Sequence, residues 1–388
     1  MNIFFATFGC RLNRAEALEE EAKYLAAGFH RVEKPAEADV AVVRGCSVTA
    51  RAQRDCEKCI DHLRSHYPTL HVVVTGCLRT RMSDFQVPPS VATQDAIPLS
   101  TARAYLKVQD GCSGRCTFCI VPSFRGQSVS VPFTDVLAKA RRFIDAGYRE
   151  LVVTGCNLSL YFSEGRRLPE LIVALAELSP EVRIRLGSVA PGPAAAAVVD
   201  AMAFAPNVCR FLHVPIQSGS DRILQAMARP YSVRAVKDLL AEAEARLPGL
   251  AFGCDLMSGF PGEMAKDHEA SCALLAHLPF STVHVFPYSE RPGTLAENMT
   301  GAVPREVRSA RAHELVDLGK AAWRRCAARQ IGRTVDIVVE SEHRLIGRTG
   351  EYLWCRVCGG RQAGRRRERI KVRVTGFDTE ALEGVEVC

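Results

Sequence analysis

Three apolar runs near the start of the chain each stop at the same dipeptide. Phe4–Phe8 leads into Gly9-Cys10, Val40–Arg44 into Gly45-Cys46 and Val72–Thr75 into Gly76-Cys77. Helix-like stretches at Ala15–Ala27 and Arg51–His66 separate them, so the order predicts βαβαβ and a parallel sheet. In such a sheet the strand ends share one edge, where thiols distant in sequence converge. A glycine ahead of each thiol lets the backbone close around a bulky inorganic group. One such cysteine would pass as a buried structural residue. Three at the same position predict a metal centre held by Cys10, Cys46 and Cys77.

A second set lies in Asp110-Gly111-Cys112-Ser113-Gly114-Arg115-Cys116-Thr117-Phe118-Cys119-Ile120, directly after a predicted strand at Tyr105–Gln109. Thiols at such short spacing meet in one loop. On a four-iron cube they leave one iron without a protein ligand, open to a small molecule, much as a catalytic zinc keeps a vacant position. A zinc ion completed by a fourth residue accounts for the thiols but not for their place at a strand end.

The 388 residues include 16 cysteines and are 47% hydrophobic. That length gives room for two or three cored domains. It does not fit a disulfide-stapled miniprotein or a disordered chain. The first residues lack the basic start and apolar stretch of a signal peptide, and no apolar run has the length of a membrane span. The expectation is a cytoplasmic protein with reduced cysteines and no membrane partner.

The predicted fold class is α/β, in three domains. Residues 1–95 form an N-terminal parallel βαβ domain ending in a linker-like stretch, Phe85–Pro98. Residues 96–328 alternate strands with helices. The strands are Tyr105–Gln109, Glu150–Thr154, Arg183–Val189, Arg210–Ile216, Leu250–Met257 and Thr282–Phe286. The helices include Phe133–Ala146, Leu168–Leu178, Asp221–Met227 and Val233–Arg246. This predicts a partial (β/α)6 barrel whose strands all end on one face. After a basic helix at Val307–Arg329, residues 329–388 turn to short β-runs, at Val335–Val339, Tyr352–Val357 and Arg369–Val374. The chain's formal charge is +7, and its densest positive run is Arg361–Arg373. On a small β-domain that run predicts a phosphate-tracking surface.

At Cys112, Cys116 and Cys119 the chain resembles the radical S-adenosylmethionine superfamily, whose signature is this CxxxCxxC loop. The resemblance implies a reducing [4Fe–4S] cluster on these thiols, S-adenosylmethionine chelated at the open iron, and Phe118 near its adenine. The segments Thr7-Phe8-Gly9-Cys10-Arg11-Leu12-Asn13, Gly45-Cys46-Ser47-Val48-Thr49 and Thr75-Gly76-Cys77 extend the likeness. With them the chain resembles the methylthiotransferase family over nearly its whole length, including a C-terminal domain similar to the TRAM RNA-binding module. That implies a second [4Fe–4S] cluster on Cys10, Cys46 and Cys77, and transfer of sulfur and a methyl group to tRNA.

Gln217–Asp221, Gly259–Glu263 and Phe286–Thr294 match the family as well. The last, with Gly-Cys-Arg-Leu-Asn, is most similar to the branch that modifies C2 of N6-threonylcarbamoyladenosine at position 37 of tRNA. The chain departs from the family at Arg44-Gly45, where Asn-Thr is usual, and at Ala190, where many members are acidic. Cys156, Ser188 and Gln217 sit at barrel strand ends and are expected to line the cofactor pocket. The pairs Cys56/Cys59 and Cys355/Cys358 read as ordinary packing. No residue is singled out for proton transfer.

The implied partners are the anticodon stem-loop of a tRNA and a low-potential electron donor such as flavodoxin or ferredoxin; a monomer is the default. Related branches act on isopentenyladenosine-37 of tRNA or on a ribosomal-protein aspartate. A reading from another class is a non-catalytic, zinc-stabilised RNA-binding protein, which would be colourless.

Overall fold

The fold is taken from a computed structural model, described over residues 1–78, 96–278, 280–359 and 364–387. Residues 85–95 of the expected linker, with the boundary at 95, and residues 361–363 of the basic run lie outside the described residues.

Strands β1 (Asn2–Thr7), β2 (His30–Arg31), β3 (Val40–Gly45) and β4 (His71–Gly76) form a parallel sheet in the order β2-β1-β3-β4. Helices α1 (Arg11–Ala26) and α2 (Ala50–His66) make the crossovers. The run Val-Ala-Val-Val in β3 has no polar alternation because both faces are covered. Ala41 and Val43 pack with Ile60 and Leu63 of α2. Val40 and Val42 pack with Tyr24 of α1. Pairing of Gly45 with Gly76, and of Thr7 with Arg44, brings the three Gly-Cys ends to one edge.

In the second region β5 (Ala104–Lys107) leads to a short ladder of β6 (Gln109–Asp110) with β7 (Val129–Ser130). Then follow β8 (Glu150–Thr154), a hairpin of β9 (Phe162–Ser163) with β10 (Arg166–Arg167), and β11 (Arg183–Leu186). The last three strands are β12 (Phe211–Gln217), β13 (Ala251–Ser258) and β14 (Phe280–Pro287). Parallel pairing gives two three-stranded sheets, β5-β8-β11 and β12-β13-β14. Bridges Ile184–Val208 and Ser188–His213 join them into the expected six-stranded partial barrel.

The connecting helices are α3 (Val121–Arg125), α4 (Phe133–Asp145), α5 (Leu168–Glu177), α6 (Pro193–Phe204), α7 (Asp221–Ala226), α8 (Val233–Arg246) and α9 (Ala265–His277). Leu212, Val214, Ile216, Phe252, Cys254 and Leu256 pack into the core shared with these helices. Alternation therefore turns Phe211, His213, Gln217 and Asp255 toward the concave face. Helix α1 lies across that face at β5, where Lys107 Nζ meets Glu16 Oε1 at 2.6 Å and Arg14 stands over the Tyr105 ring.

Helix α10 (Arg305–Ala328) places Leu315 and Ala322 in the barrel core and Cys326 and Ala327 in the core of the last region. That region is a closed β-barrel in the order β15-β16-β17-β19-β18. Its strands are β15 (Thr334–Val339), β16 (Ile346–Arg348), β17 (Trp354–Val357), β18 (Arg369–Phe377) and β19 (Leu382–Val387). The loop after β16 plugs the strand starts of the larger barrel. Arg185 Nη2 donates to Thr349 O at 2.8 Å, Arg183 Nη1 donates to Asp336 O at 2.6 Å, and Tyr352 stacks on Phe211. Fully buried Glu150 pairs with both arginines.

The basic run departs from expectation. Arg367 lies over the Tyr148 ring at 4.1 Å and donates to Thr101 O, and Arg366 donates to Ser100 O and Glu342. Arg365 pairs with Glu386 and Glu368, and Arg369 with Asp336. These half-buried guanidiniums are tied to the protein itself, because the carbonyls and acids they meet come from elements folded against the run. Lys371 and Arg373, facing outward on β18, remain exposed. Among the described residues no helix is long and apolar enough to cross a membrane.

Candidate functional site

The first trio forms where β1, β3 and β4 end. Cys10 is the extended residue that starts α1, and its side chain makes no capping bond. Fully buried Asn13 ties two of the loops, donating from Nδ2 to Phe8 O at 2.7 Å and to Gly45 O at 3.0 Å. The Cys77 amide donates to Gly45 O. Glycine is required at position 9: its φ is +97°, and a Cβ there would lie 2.5 Å from Cys46 Cβ and 2.7 Å from its sulfur. Burial pushes the Cys46 thiol up, and Cys10 and Cys77 push it further; Cys77 likewise responds to burial and to Cys10. The three thiols are thus near enough to feel one another's charge. They are stable together as thiolates only around a cation.

The second trio lies beyond β6. Gly111, at φ +64°, has no room for a Cβ, which would fall 2.0 Å from Gln127 O. The Cys112 amide donates to Gly126 O and the Cys119 amide to Cys116 O, which coils the loop. The Gly114 amide donates to Cys112 Sγ at 3.3 Å, and Arg229 Nη1 donates to Cys116 Sγ at 2.9 Å. Burial pushes the Cys119 thiol up to about 11, with Cys116 and Cys112 adding to the rise. Partly exposed sulfurs fed by a guanidinium and an amide suit a thiolate-bound cluster with one open corner. The residues present fit the group at both sites.

A charged network joins the trios. Arg125, at the end of α3, donates from Nε to Cys77 Sγ at 3.0 Å. Its Nη1 donates to Glu16 Oε1 and Asp110 Oδ1, each at 2.9 Å. Arg44 and Lys107 also grip Glu16. Burial pushes the Glu16 carboxyl up, but Arg125, Arg44 and Lys107 outweigh it and hold it at about 2.

Cys156 lies in this network, its Sγ 3.5 Å from Asp110 Oδ1. Burial pushes its thiol up to about 12, and Cys10 is among the groups it feels. Ser188 is exposed and bridges to His213, while Gln217 sits at φ +73° at the end of β12. Phe118 packs edge-on to Phe260 in a cluster with Ile223, Met227 and Tyr288.

Two of the arginines in these contacts were not anticipated. Arg125 and Arg229 have no spacing signal, since their partners lie far away along the chain. Cys56 is buried against Gly45, and its sulfur accepts from the Cys46 amide. His213 Nε2 and His284 Nδ1 both meet Asp255 Oδ1, at 3.0 and 3.1 Å. Cys355 is sealed in the small barrel's core while Cys358 is exposed.

Residues 106–275 match the radical SAM superfamily, and residues 2–88 match the uncharacterized protein family UPF0004. A radical S-adenosylmethionine methyltransferase from Kitasatospora setae shares the fold. Its TM-score is 0.54 at 12% identity, over 76% of this chain and 75% of that one. The fold and the CxxxCxxC loop thus define a radical S-adenosylmethionine protein.

Curated relatives narrow the class. A tRNA-2-methylthio-N(6)-dimethylallyladenosine synthase from Chlorobium luteolum is 30% identical over 89% of each chain. A second one, from Chlorobium phaeovibrioides, is 29% identical over 99% of this chain and 96% of its own. The threonylcarbamoyladenosine tRNA methylthiotransferase MtaB of Chlamydia pneumoniae is 30% identical over 86% of this chain and 85% of its own. The chain belongs to the radical S-adenosylmethionine tRNA methylthiotransferase family. Membership implies S-adenosylmethionine and a [4Fe–4S] cluster.

Proposed function

We propose that the chain inserts a methylthio group at C2 of N6-threonylcarbamoyladenosine-37 in tRNA. The observation that carries sulfur insertion is the meeting of Cys10, Cys46 and Cys77 at one sheet edge, bonded through Arg125 to the loop of Cys112, Cys116 and Cys119. Each trio would hold one [4Fe–4S] cluster. When bound, the clusters and S-adenosylmethionine supply a carbon radical that activates an inert C–H bond, together with the sulfur and methyl to be transferred.

The protein's own residues position and shield. Arg229 and the Gly114 amide hold the Cys116 and Cys112 sulfurs, and Arg125 holds Cys77. Phe118 would pack beside the adenine, with Cys156, Ser188 and Gln217 around the pocket. Residues 1–95, 96–328 and 329–388 would act as sulfur-delivering, radical and RNA-gripping domains. Lys371 and Arg373 take the phosphate-contacting role first given to the whole basic run. A flavodoxin or ferredoxin in the cytoplasm would supply electrons to a monomer.

The threonylcarbamoyl branch rests on the Phe286–Thr294 and Gly9–Asn13 motifs and on the likeness to the Chlamydia protein. The dimethylallyl branch is favoured by the names of the Chlorobium relatives. Mass spectrometry of tRNA nucleosides from cells with and without the gene separates them. Loss of the methylthio group from threonylcarbamoyladenosine alone supports the first reading; loss from isopentenyladenosine alone overturns it.

A further inference from the structure

Two guanidiniums stand against one tyrosine ring at the floor of the partial barrel. Arg11, the residue after Cys10, stands 4.7 Å over the Tyr352 ring. Arg348 stands 4.2 Å from the same ring, and its Nε is buried with no hydrogen-bond partner. Among the described residues neither forms a salt bridge. The acid that Arg348 feels, Glu340, is held by Arg103 at 3.1 Å. Arg185, also beside the ring, is spent on Glu150. Glu351 and Glu340 each have a buried oxygen without a hydrogen-bond partner. Even with them, the arginines Arg11, Arg103, Arg183, Arg185 and Arg348 outnumber Glu150, Glu340 and Glu351 here. The floor therefore carries excess positive charge in a partly desolvated place, where it favours an anion.

Tyr352 is held for this role. It takes φ +70°, a backbone region costly for a residue with a side chain, and Arg348 Nη1 fixes its carbonyl at 3.1 Å. Its ring stacks on Phe211 at 4.8 Å, and its hydroxyl has no partner among the described residues. Burial alone would raise the hydroxyl's pKa, yet Arg11, Arg348, Arg103 and Arg185 together lower it. From Tyr352 the rings of Phe211, His213 and His284 continue along the concave wall, at centroid separations of 4.8, 6.2 and 5.4 Å. With Phe286, its ring 6.4 Å beyond His284 near the end of β14, they form a path down to the two arginines.

We propose that Arg11 and Arg348, with the Tyr352 hydroxyl, bind a carboxylate carried on the base of the RNA substrate. Resting on the threonylcarbamoyl reading, this names the group that selects it: the free carboxylate of the threonyl substituent, which an isopentenyl group lacks. Arg11 shares the start of α1 with Cys10. One helix end would thus hold the substituent and the sulfur-delivering centre in fixed relation. A backbone phosphate offers similar chemistry, so the test must separate the two sources.

The test is equilibrium binding of cluster-loaded protein to anticodon stem-loops. Four RNAs are compared at the target base: threonylcarbamoyladenosine, its methyl ester, isopentenyladenosine and plain adenosine. Wild type should bind the acid about tenfold or more tighter than the ester, as expected for a charge-assisted contact. Arg11→Gln and Arg348→Gln should each bring the acid-to-ester ratio toward one. A misfolded variant weakens both RNAs alike, so the ratio reports the contact itself.

A ratio near one in wild type overturns the inference. So does a ratio preserved in both variants while all four RNAs weaken together, since that is the behaviour of a phosphate contact. If wild type methylthiolates the acid while showing no acid preference, the carboxylate site falls and the substrate reading stands. Methylthiolation of the isopentenyl RNA alone overturns both.

Discussion

Arg125 donates from Nε to the sulfur of Cys77 at 3.0 Å, so a residue that closes the radical loop holds a thiol from the N-terminal sheet. A cation on a cluster sulfur favours the more reduced state. Arg125→Gln should lower the midpoint potential of the Cys10/Cys46/Cys77 cluster on the order of 50 mV and weaken iron retention about 10- to 100-fold. The check is a redox titration followed by electron paramagnetic resonance, in a chain lacking Cys112, Cys116 and Cys119. An unchanged potential contradicts the assignment.

Gly9→Ala places a methyl group in contact with Cys46 at a backbone angle that disfavours it. The variant should keep the cluster of the second trio and lose the first, about half of the iron. Iron analysis with circular dichroism checks this, and full iron content contradicts it.

Glu16 gives the interface a pH dependence. Its carboxyl is held at about 2 in the folded chain, against 4.5 ordinarily, so ionised Glu16 stabilises the fold above pH 4.5. That contribution, on the order of 3 kcal/mol, fades as pH falls toward 2. Glu16→Gln should therefore be less stable than wild type at neutral pH, and the difference should shrink below pH 4.5. Urea midpoints across pH measure it; a constant difference would show that the ion network contributes nothing.

Lys371→Gln and Arg373→Gln should each reduce the salt dependence of tRNA binding by about one ion. Arg367→Gln should instead lower the melting temperature, because that guanidinium is spent on Tyr148 and backbone carbonyls. Filter binding at several salt concentrations, beside thermal melts, distinguishes the two roles.

Much of this was legible because periodicity and spacing report local structure. The alternation of apolar runs with helix-like stretches marked a parallel sheet, and the Gly-Cys endings marked its edge. Helices α6 and α9 were not among the helices named from the sequence; the Ala-rich α6 shows little amphipathic contrast. The start of α1 was placed too late, since Leu12 and Asn13 are buried by contacts that local pattern does not show. The basic run was misread for a related reason. A sequence shows that Arg366 and Arg367 are charged, but not that the carbonyls of Leu99, Ser100 and Thr101 fold against them. The arginines on the Cys77 and Cys116 sulfurs were likewise invisible, since each pairing is made by tertiary packing alone.

The most direct measurement is iron and acid-labile sulfide after anaerobic purification, for wild type and for each trio replaced by alanine. The account predicts brown protein with about eight irons per chain, falling to about four in Cys10/Cys46/Cys77→Ala and in Cys112/Cys116/Cys119→Ala. About four irons in wild type, unaffected by loss of Cys10, Cys46 and Cys77, would contradict it.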